Sequence, residues 1–468
     1  MADGERQFDL LVVGAGPAGE KAAAQAAYFG HRVAVVDQLP DPGGTMVAGA
    51  VSTKTMREAA LYLTGFTRHH VYGVALDLAS DVLIDRLRAR EAEVTDLMTG
   101  AVRENLRRHE IEFVAGRAEL GEGRRLRVTP ACGGPEQVLS CRAVLLATGS
   151  RPYHPPGIPF DDPDVLDSDT ARALDRPLKS LVVVGGGAVA CEYASIFLAL
   201  GAEVSLVDRG SRLLPFLDAQ LSMILADTFR TQGMRMLPET SVTRVEREAE
   251  GLLVETSGGD VIRPEKVIFA AGRTGDTDGL GLREAGVALD ERGRILVDDH
   301  YQTSVPGVFA AGDVIGPPAL ASVSMEQGRV AACYAMGIPF KQTVDPLTPF
   351  GVYTIPECAM VGLTEEAATE RGIDYVVGLA WVKDNSRAAI AGSTEGALKL
   401  VVDRGDRSLL GVHMIGEGAT ELIHHGQAVI HFGGTIDYFI HSTFDVPTVS
   451  DLYKYAAYNC LQQFEVRP

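Results

Sequence analysis

The chain has no paired cysteines. Its six, Cys132, Cys141, Cys191, Cys333, Cys358 and Cys460, stand far apart, and no two make a CxxC or CxxxxC spacing. A zinc ribbon and a disulfide-stapled scaffold are excluded on that count, and a reducing cytoplasm is the compartment expected. The chain also lacks an excess of positive charge: 43 basic against 62 acidic side chains leave a net charge of -19. A molecule of that sign repels phosphate backbones and anionic lipid, so neither nucleic acid nor a membrane is expected as a partner. The one arginine-rich stretch, Arg103 to Arg125, is interleaved with Glu104, Glu110, Glu112, Glu119 and Glu122, the pattern of a solvated face. Long apolar runs are missing too. Nothing approaches 18 uninterrupted apolar residues, and the strand-like run after Asp9 is too short for a membrane span or a signal-peptide core.

What is present is an internal echo in a chain of globular composition. With 46% hydrophobic and 22% charged residues over 468 positions, the length suffices for about three domains of roughly 150 residues. Phe8 to Asp37 reads as strand, glycine turn, helix and strand, and Leu181 to Asp208 reads the same way. In both copies the first glycine precedes the closing acid by 23 positions, Gly14 to Asp37 and Gly185 to Asp208. Each copy is followed by an apolar strand ending on glycine and arginine, AVLLATGSR at Ala143 to Arg151 and VIFAAGR at Val267 to Arg273. A further strand, VFAAGD at Val308 to Asp313, has no counterpart inside the first copy and is expected to return to complete the first domain. The expected class is α/β. Two Rossmann-like domains are expected, the first discontinuous over 1–154 and 276–345, the second over 155–275. Residues 346–468 carry alternating strands and an apolar helix near Thr420 to Phe432 but no glycine fingerprint, and are expected to form an α+β interface domain.

The glycine turns carry the chemistry. In Gly14-Ala15-Gly16-Pro17-Ala18-Gly19 the first glycine permits a tight turn, the second lets backbone approach a pyrophosphate, and the third lets helix and strand pack closely. The helix N-terminus offers free N–H groups to phosphate, and Asp37 stands where an acid accepts the ribose hydroxyls. The second turn uses Gly185, Gly187 and Ala190, with Asp208 as its acid. Arg209 and Arg212 follow Asp208 and could meet a 2'-phosphate, whereas Gln38-Leu39-Pro40 follows Asp37. This asymmetry assigns an unphosphorylated adenosine such as that of FAD to the first turn, and a nicotinamide dinucleotide, NAD or NADP, to the second. His424 and His425 are adjacent on the expected helix, so their side chains diverge by about 100°. With His413, His431 and His441 they lack metal-site spacing, and no metal is expected.

Together, GxGxxG, ATG at Ala147 to Gly149, GxGxxA, AGR at Ala271 to Arg273 and TSVPGVFAAGD at Thr303 to Asp313 resemble the pyridine nucleotide-disulfide oxidoreductase family of two-dinucleotide-binding-domain flavoproteins. The resemblance covers nearly the whole chain. It implies FAD contacts at Gly44, Thr45, Thr148, Gly149 and Gly312, with Asp313 on the ribityl chain. It also implies dinucleotide contacts at Gly272 and Arg273, and a homodimer built by the last domain. Lys54 aligns with the family lysine near the flavin, and Glu192 with a glutamate expected to pair with it and adjoin the nicotinamide. Such a pair would orient the ring and favour reduced flavin through positive charge.

The chain departs from that family where thiol chemistry is done. Its Gly43 to Lys54 segment is one residue shorter than the redox-active pattern, with Met46 and Ala50 in place of the two cysteines. Neither can form a thiolate. The C-terminal His-Pro-Thr element reads Val446-Pro447-Thr448, and valine cannot carry a proton. A flavin beside a nicotinamide site without a disulfide retains hydride exchange through the flavin. The stretches GSRPYHP, CEYASIF, GRTGDTD, GDVIGPPALAS and YTIPE make the chain most similar to the soluble pyridine nucleotide transhydrogenase branch. Transfer between NADPH and NAD at one shared site would follow ping-pong kinetics. Two other readings stand beside it: an NAD(P)H-linked flavoprotein acting on a quinone or other small molecule near Ala50, and a non-catalytic protein with structural FAD.

Overall fold

The computed structural model describes residues 6–44, 46–66, 71, 73, 80–172 and 176–464. It divides into two compact units. One comprises Met1–Thr55, Ala89–Tyr153 and Arg273–Asp345, the other Met56–Arg88, His154–Gly272 and Pro346–Pro468.

In the first unit a run of Leu and Val, buried on both faces, forms the strand Arg6–Val13. It pairs in parallel with Val33–Asp37 on one side and Gln137–Leu146 on the other, Val13 standing opposite both Val36 and Leu146. Glu112–Leu120 extends the sheet beyond Val33–Asp37. Val308–Ala310 closes the far side in parallel with Gln137–Leu146, so the late strand does return to the first glycine-turn sheet. Arg125–Pro130 forms an antiparallel excursion between Glu112–Leu120 and Gln137–Leu146. Small side chains let two helices approach: a Cβ on Gly328 of helix Ala321–Met336 would lie 2.1 Å from the Ala18 carbonyl of helix Pro17–Tyr28. Leu10, Val12, Val35 and Leu145 are wholly buried beneath them.

The second unit repeats that sheet. Arg235–Leu237, Glu203–Val207, Ser180–Val184, Lys266–Phe269 and Val165–Asp167 lie side by side in this order, every pair parallel. Helix Ala188–Ala199 is buried from Ala190 to Ala199, which accounts for its apolar run ACEYASIFLA: a crossover helix enclosed on all sides needs no polar face. A three-stranded antiparallel sheet, Val242–Glu248, Gly251–Thr256 and Val261–Ile262, stands beside it.

The same unit carries the C-terminal antiparallel sheet, ordered Phe350–Val352, Cys358–Gly362, Leu409–Ile415, Ala397–Asp403 and Tyr375–Trp381. Helices Ala419–His431 and Leu452–Phe464 supply its apolar cover through Ile423, Val429, Tyr453 and Ala456. None of the helices among the described residues is long and apolar enough to cross a membrane.

Candidate functional site

The two glycine turns have the same construction. Gly14 holds φ at 101°, and a Cβ there would lie 2.3 Å from the Ala147 carbonyl oxygen; Gly185 holds φ at 128°, with Ala270 O at 2.6 Å from its hypothetical Cβ. A side chain at either position would meet both backbone strain and a carbonyl that has nowhere to move. The hydrogen bonds repeat as well. Gly14 N donates to Val36 O and Gly185 N to Val207 O, both at 2.8 Å, while Ala147 N donates to Val13 O at 2.7 Å and Ala270 N to Val184 O at 2.9 Å. Each turn thus follows the central strand of its five parallel strands, on the side of Gln137–Leu146 or Lys266–Phe269 where the strand order reverses, the place at which open α/β sheets receive ligands. Gly16 and Gly187, the N-caps of the two helices, have open space where a Cβ would be. That space lies over helix N-terminal amides, as a pyrophosphate requires.

The two acids are also matched. Asp37 is buried, its Oδ2 accepting from Ala15 N at 2.6 Å and its Oδ1 from Leu39 N at 2.8 Å. Asp208 Oδ2 accepts from Gly210 N at 3.1 Å. Burial pushes both carboxyls above their ordinary range, against the pull of those amides.

Around the first turn the structure brings together most of the residues expected there. Gly19 packs its Cα against the Gly14 carbonyl. Gly43 N donates to Ala15 O at 3.1 Å, and a Cβ on Gly44 would stand 3.1 Å from the Gly16 Cα, so this loop lies directly on the turn. Thr45 lies outside the described residues. Thr148 follows Ala147 and has a buried Oγ1 with no hydrogen-bond partner among the described residues, while Gly149 opens on free space at a φ of 75°. A buried hydroxyl without a partner, next to an open glycine and a phosphate-ready helix end, fits a polar ligand such as FAD. Gly312 N donates to Gln327 Oε1 at 2.9 Å, and Asp313 follows at the head of a short 3-10 turn.

Ser150 and Ser324 are the partners that sequence reasoning missed. Arg273 Nε donates to Ser150 Oγ at 2.7 Å, Ser150 Oγ donates to Asp313 Oδ2 at 3.2 Å, and Ser324 Oγ donates to Asp313 Oδ1 at 3.2 Å. The AGR arginine is therefore wired to the acid expected on the ribityl chain. The signal was at hand in the GSRPYHP stretch, but nothing local says which way the serine points. Gly272, at a φ of 110°, ends the second unit's strand segment.

Lys54 is half-buried in the first turn of helix Ser52–Thr64, which follows the wide π-type turn Met46–Val51. The residues replacing the thiols occupy that π-type turn, with Met46 half-buried and Ala50 exposed. Glu192 is buried on helix Ala188–Ala199, its Oε1 accepting from Tyr353 N at 2.9 Å; one turn on, Ser195 Oγ accepts from Ile355 N at 3.2 Å. The YTIPE segment is held further by Arg57, whose Nε donates to Thr354 O at 3.1 Å and whose Nη2 pairs with Glu357 at 3.3 Å. Ala190 is buried beneath Gly185, its Cβ 3.4 Å from where a glycine Cβ would be. Arg209 is exposed beside Asp208. Arg212, by contrast, is engaged elsewhere: Nη1 pairs with Glu366 Oε1 and Nη2 donates to Pro215 O, both at 2.8 Å.

The fold and this paired construction define a two-dinucleotide flavoprotein architecture. Residues 8–328 match the model of the pyridine nucleotide-disulphide oxidoreductase family, and residues 348–457 match the dimerisation domain of that family. The chain belongs to this family, with two Rossmann-like domains and a C-terminal dimerisation domain. It is 39% identical over 98% of both chains to a soluble pyridine nucleotide transhydrogenase of Mycobacterium bovis. It is 37% identical to another from Hahella chejuensis, covering 98% of this chain and 99% of that one. Among solved structures it is similar to the HOCl-induced flavoprotein disulfide reductase RclA of Escherichia coli, with a TM-score of 0.87 at 26% identity over 97% of this chain and 99% of that one. LpdA of Mycobacterium tuberculosis gives a TM-score of 0.86 at 26% identity over 96% and 99%.

Proposed function

We propose that this chain is an FAD-dependent oxidoreductase that passes a hydride between NADPH and NAD. One observation carries the reading: the two glycine turns are matched bond for bond, while the segment from Gly43 to Lys54 holds no thiol. Such a protein has places for two dinucleotides and, in that segment, no group to which electrons could pass as a disulfide. FAD, when bound, supplies a two-electron carrier. On this reading Gly14, Gly16 and Gly19 admit its pyrophosphate, Asp37 its ribose, and Thr148, Gly149, Gly44 and Thr45 border it. Asp313, fixed by Ser150 and Ser324, holds the ribityl hydroxyls. Gly185, Gly187, Ala190, Asp208, Arg209 and the Gly272-Arg273 step receive the nicotinamide dinucleotide. Lys54 and Glu192 act by orienting and by charge.

The domain assignment goes with it: 1–154 and 276–345 for FAD, 155–275 for NAD(P), and 346–468 for a homodimer interface in a cytoplasmic enzyme. Support for the interface comes from exposed Tyr438, Val446, Tyr455 and Tyr458 on that last segment.

The test is anaerobic reduction of the purified flavoprotein with one equivalent of NADPH, followed by a spectrally distinct NAD analogue. Reoxidation of the flavin band with matching analogue reduction is expected. A flavin that stays reduced until a quinone or oxygen arrives would overturn the assignment. A flavin that neither NADPH nor NADH can bleach would favour the non-catalytic reading.

A further inference from the structure

Two arginines follow Asp208, and by spacing alone either suits a 2'-phosphate. Their surroundings separate them. Arg212 lines one small cavity together with Asp208, Gly210, Ser211 and Arg230, yet its guanidinium is turned to Glu366 Oε1 and to Pro215 O. Glu366 Oε1 also accepts from Ala219 N at 3.0 Å, at the start of helix Ala219–Thr231. The loop between Asp208 and that helix is pinned again at its end. Asp218 caps the helix through Gln220 N at 3.0 Å and holds the wholly buried Lys399 ammonium at 2.8 Å through both its oxygens, and Glu365 completes the cluster on Lys399. Glu365 and Glu366 stand at the start of a short helix that is followed by the strand Tyr375–Trp381 of the C-terminal sheet. Thus a carboxylate from the dimerisation domain neutralises Arg212 and a helix end fixes the carboxylate. The Arg212 contact pulls the Glu366 carboxyl below its ordinary range despite partial burial, so the pair is ionised at neutral pH.

We infer that Glu366 withholds Arg212 from the dinucleotide, leaving Arg209 to set the response to a 2'-phosphate, and that Glu366 is a positioning residue for cofactor discrimination. The inference rests on the reading of the second turn as the nicotinamide dinucleotide site. An exposed arginine beside an acid gives a modest, salt-screened attraction for the phosphate, which suits acceptance of both NADP and NAD. Removing the Glu366 charge releases a second arginine into the cavity that Asp208 lines.

The test is calorimetric binding of NADP and NAD to the flavin-loaded protein, which does not depend on what finally accepts the hydride. Arg209→Gln is expected to weaken NADP about fivefold, with NAD within about twofold; Arg212→Gln is expected to leave the NADP-to-NAD ratio within about twofold of its starting value. Glu366→Gln, which keeps an oxygen for Ala219 N, is expected to tighten NADP about fivefold at low salt and to lose most of that gain at high salt. The double variant Glu366→Gln/Arg212→Gln abolishes the gain. Equal losses of NADP binding in Arg209→Gln and Arg212→Gln would overturn the inference. So would a folded Glu366→Gln with an unchanged ratio, which keeps the test decisive even where Arg212→Gln fails to fold. Absence of binding by either dinucleotide would overturn the reading of the turn itself, and the inference with it.

Discussion

Thr148→Val separates what the first glycine turn does for the fold from what it does for the flavin. The Oγ1 of Thr148 is buried and has no hydrogen-bond partner among the described residues. A buried polar group in that condition costs about 1–3 kcal/mol relative to one that is paired. Valine keeps the β-branched shape and removes the hydroxyl, so the protein stripped of flavin should be no less stable, and up to about 1 kcal/mol more stable. FAD binding should change in the opposite sense. Losing one hydrogen bond to the ligand removes about 0.5–1.5 kcal/mol, which is roughly 2- to 12-fold in Kd. The assay is a fluorescence titration of stripped protein with FAD, alongside thermal melts with and without flavin. A tenfold weaker Kd lowers ligand stabilisation by about 1.4 kcal/mol at a fixed excess of FAD. The opposite signs are the content of the prediction. An unchanged FAD affinity, or a stripped variant destabilised by more than about 1 kcal/mol, would refute the idea that this hydroxyl is placed for the ligand.

Three further outcomes are expected. Gly14→Val puts a side chain against the Ala147 carbonyl at a φ of 101°, and the purified variant should carry no flavin, read from its flavin-to-protein absorbance ratio; a yellow variant would contradict the turn's role. Lys399→Met should destabilise by about 3–5 kcal/mol at neutral pH because it strands the buried Asp218 carboxylate. Burial pushes that carboxyl up, but the Lys399 bond, with the fields of His413 and Lys399, outweighs it, and the net direction is down. The native stabilisation is therefore present above about pH 4, the unfolded value, and lost as pH falls through the lower folded value. In the variant burial loses its strongest opponent, leaving the Gln220 and Glu365 amides and the field of His413, so the gap between the two proteins in denaturation midpoints should narrow as pH drops from 7 towards 4. Alkylation of the native enzyme should label exposed Cys132 and leave hydride transfer intact, since burial pushes Cys358 and Cys460 up to about 12 and none of the six thiols lies at the Gly43 to Lys54 segment; loss of turnover on labelling would count against a thiol-free route.

How much of this was legible beforehand follows the range of the interactions. The glycine turns were readable because each is built within one strand-turn-helix segment, where spacing alone brings Gly14 to Asp37 and Gly185 to Asp208. The apolar helix expected at Thr420 to Phe432 lies at Ala419–His431 for the same local reason. Ser150 and Ser324 were not readable as partners of Asp313, since three segments must first meet. Lys399 hid in a strand whose first six residues are all buried. A charged residue there breaks the strand's pattern, and it is explained by Asp218 and Glu365, both distant in sequence. Arg212 is a case where the fold adds what spacing omits. Its proximity to Asp208 in sequence suits a 2'-phosphate, whereas its guanidinium pairs with Glu366, a partner that only the fold brings near.

The two units also show why an echo in sequence can conceal a difference in topology. Both sheets carry the same five parallel positions, but the outermost is filled from opposite ends of the domain. Val308–Ala310 arrives after the second domain has been built, whereas Val165–Asp167 precedes its own glycine turn. In the first unit that late strand leads directly into Gly312 and Asp313, so the strand completing the sheet delivers the acid proposed for the ribityl chain. The corresponding edge of the second sheet ends at Asp167, which instead caps its own turn through Thr170 N at 2.8 Å and accepts from His154 Nε2 at 2.8 Å when that nitrogen is protonated. Its carboxyl is thus occupied by structure and not by ligand. On the proposed reading, this edge strand adds a cofactor contact in the FAD unit and none in the nicotinamide dinucleotide unit. That asymmetry suits one cofactor that stays bound and another that must leave at every turnover.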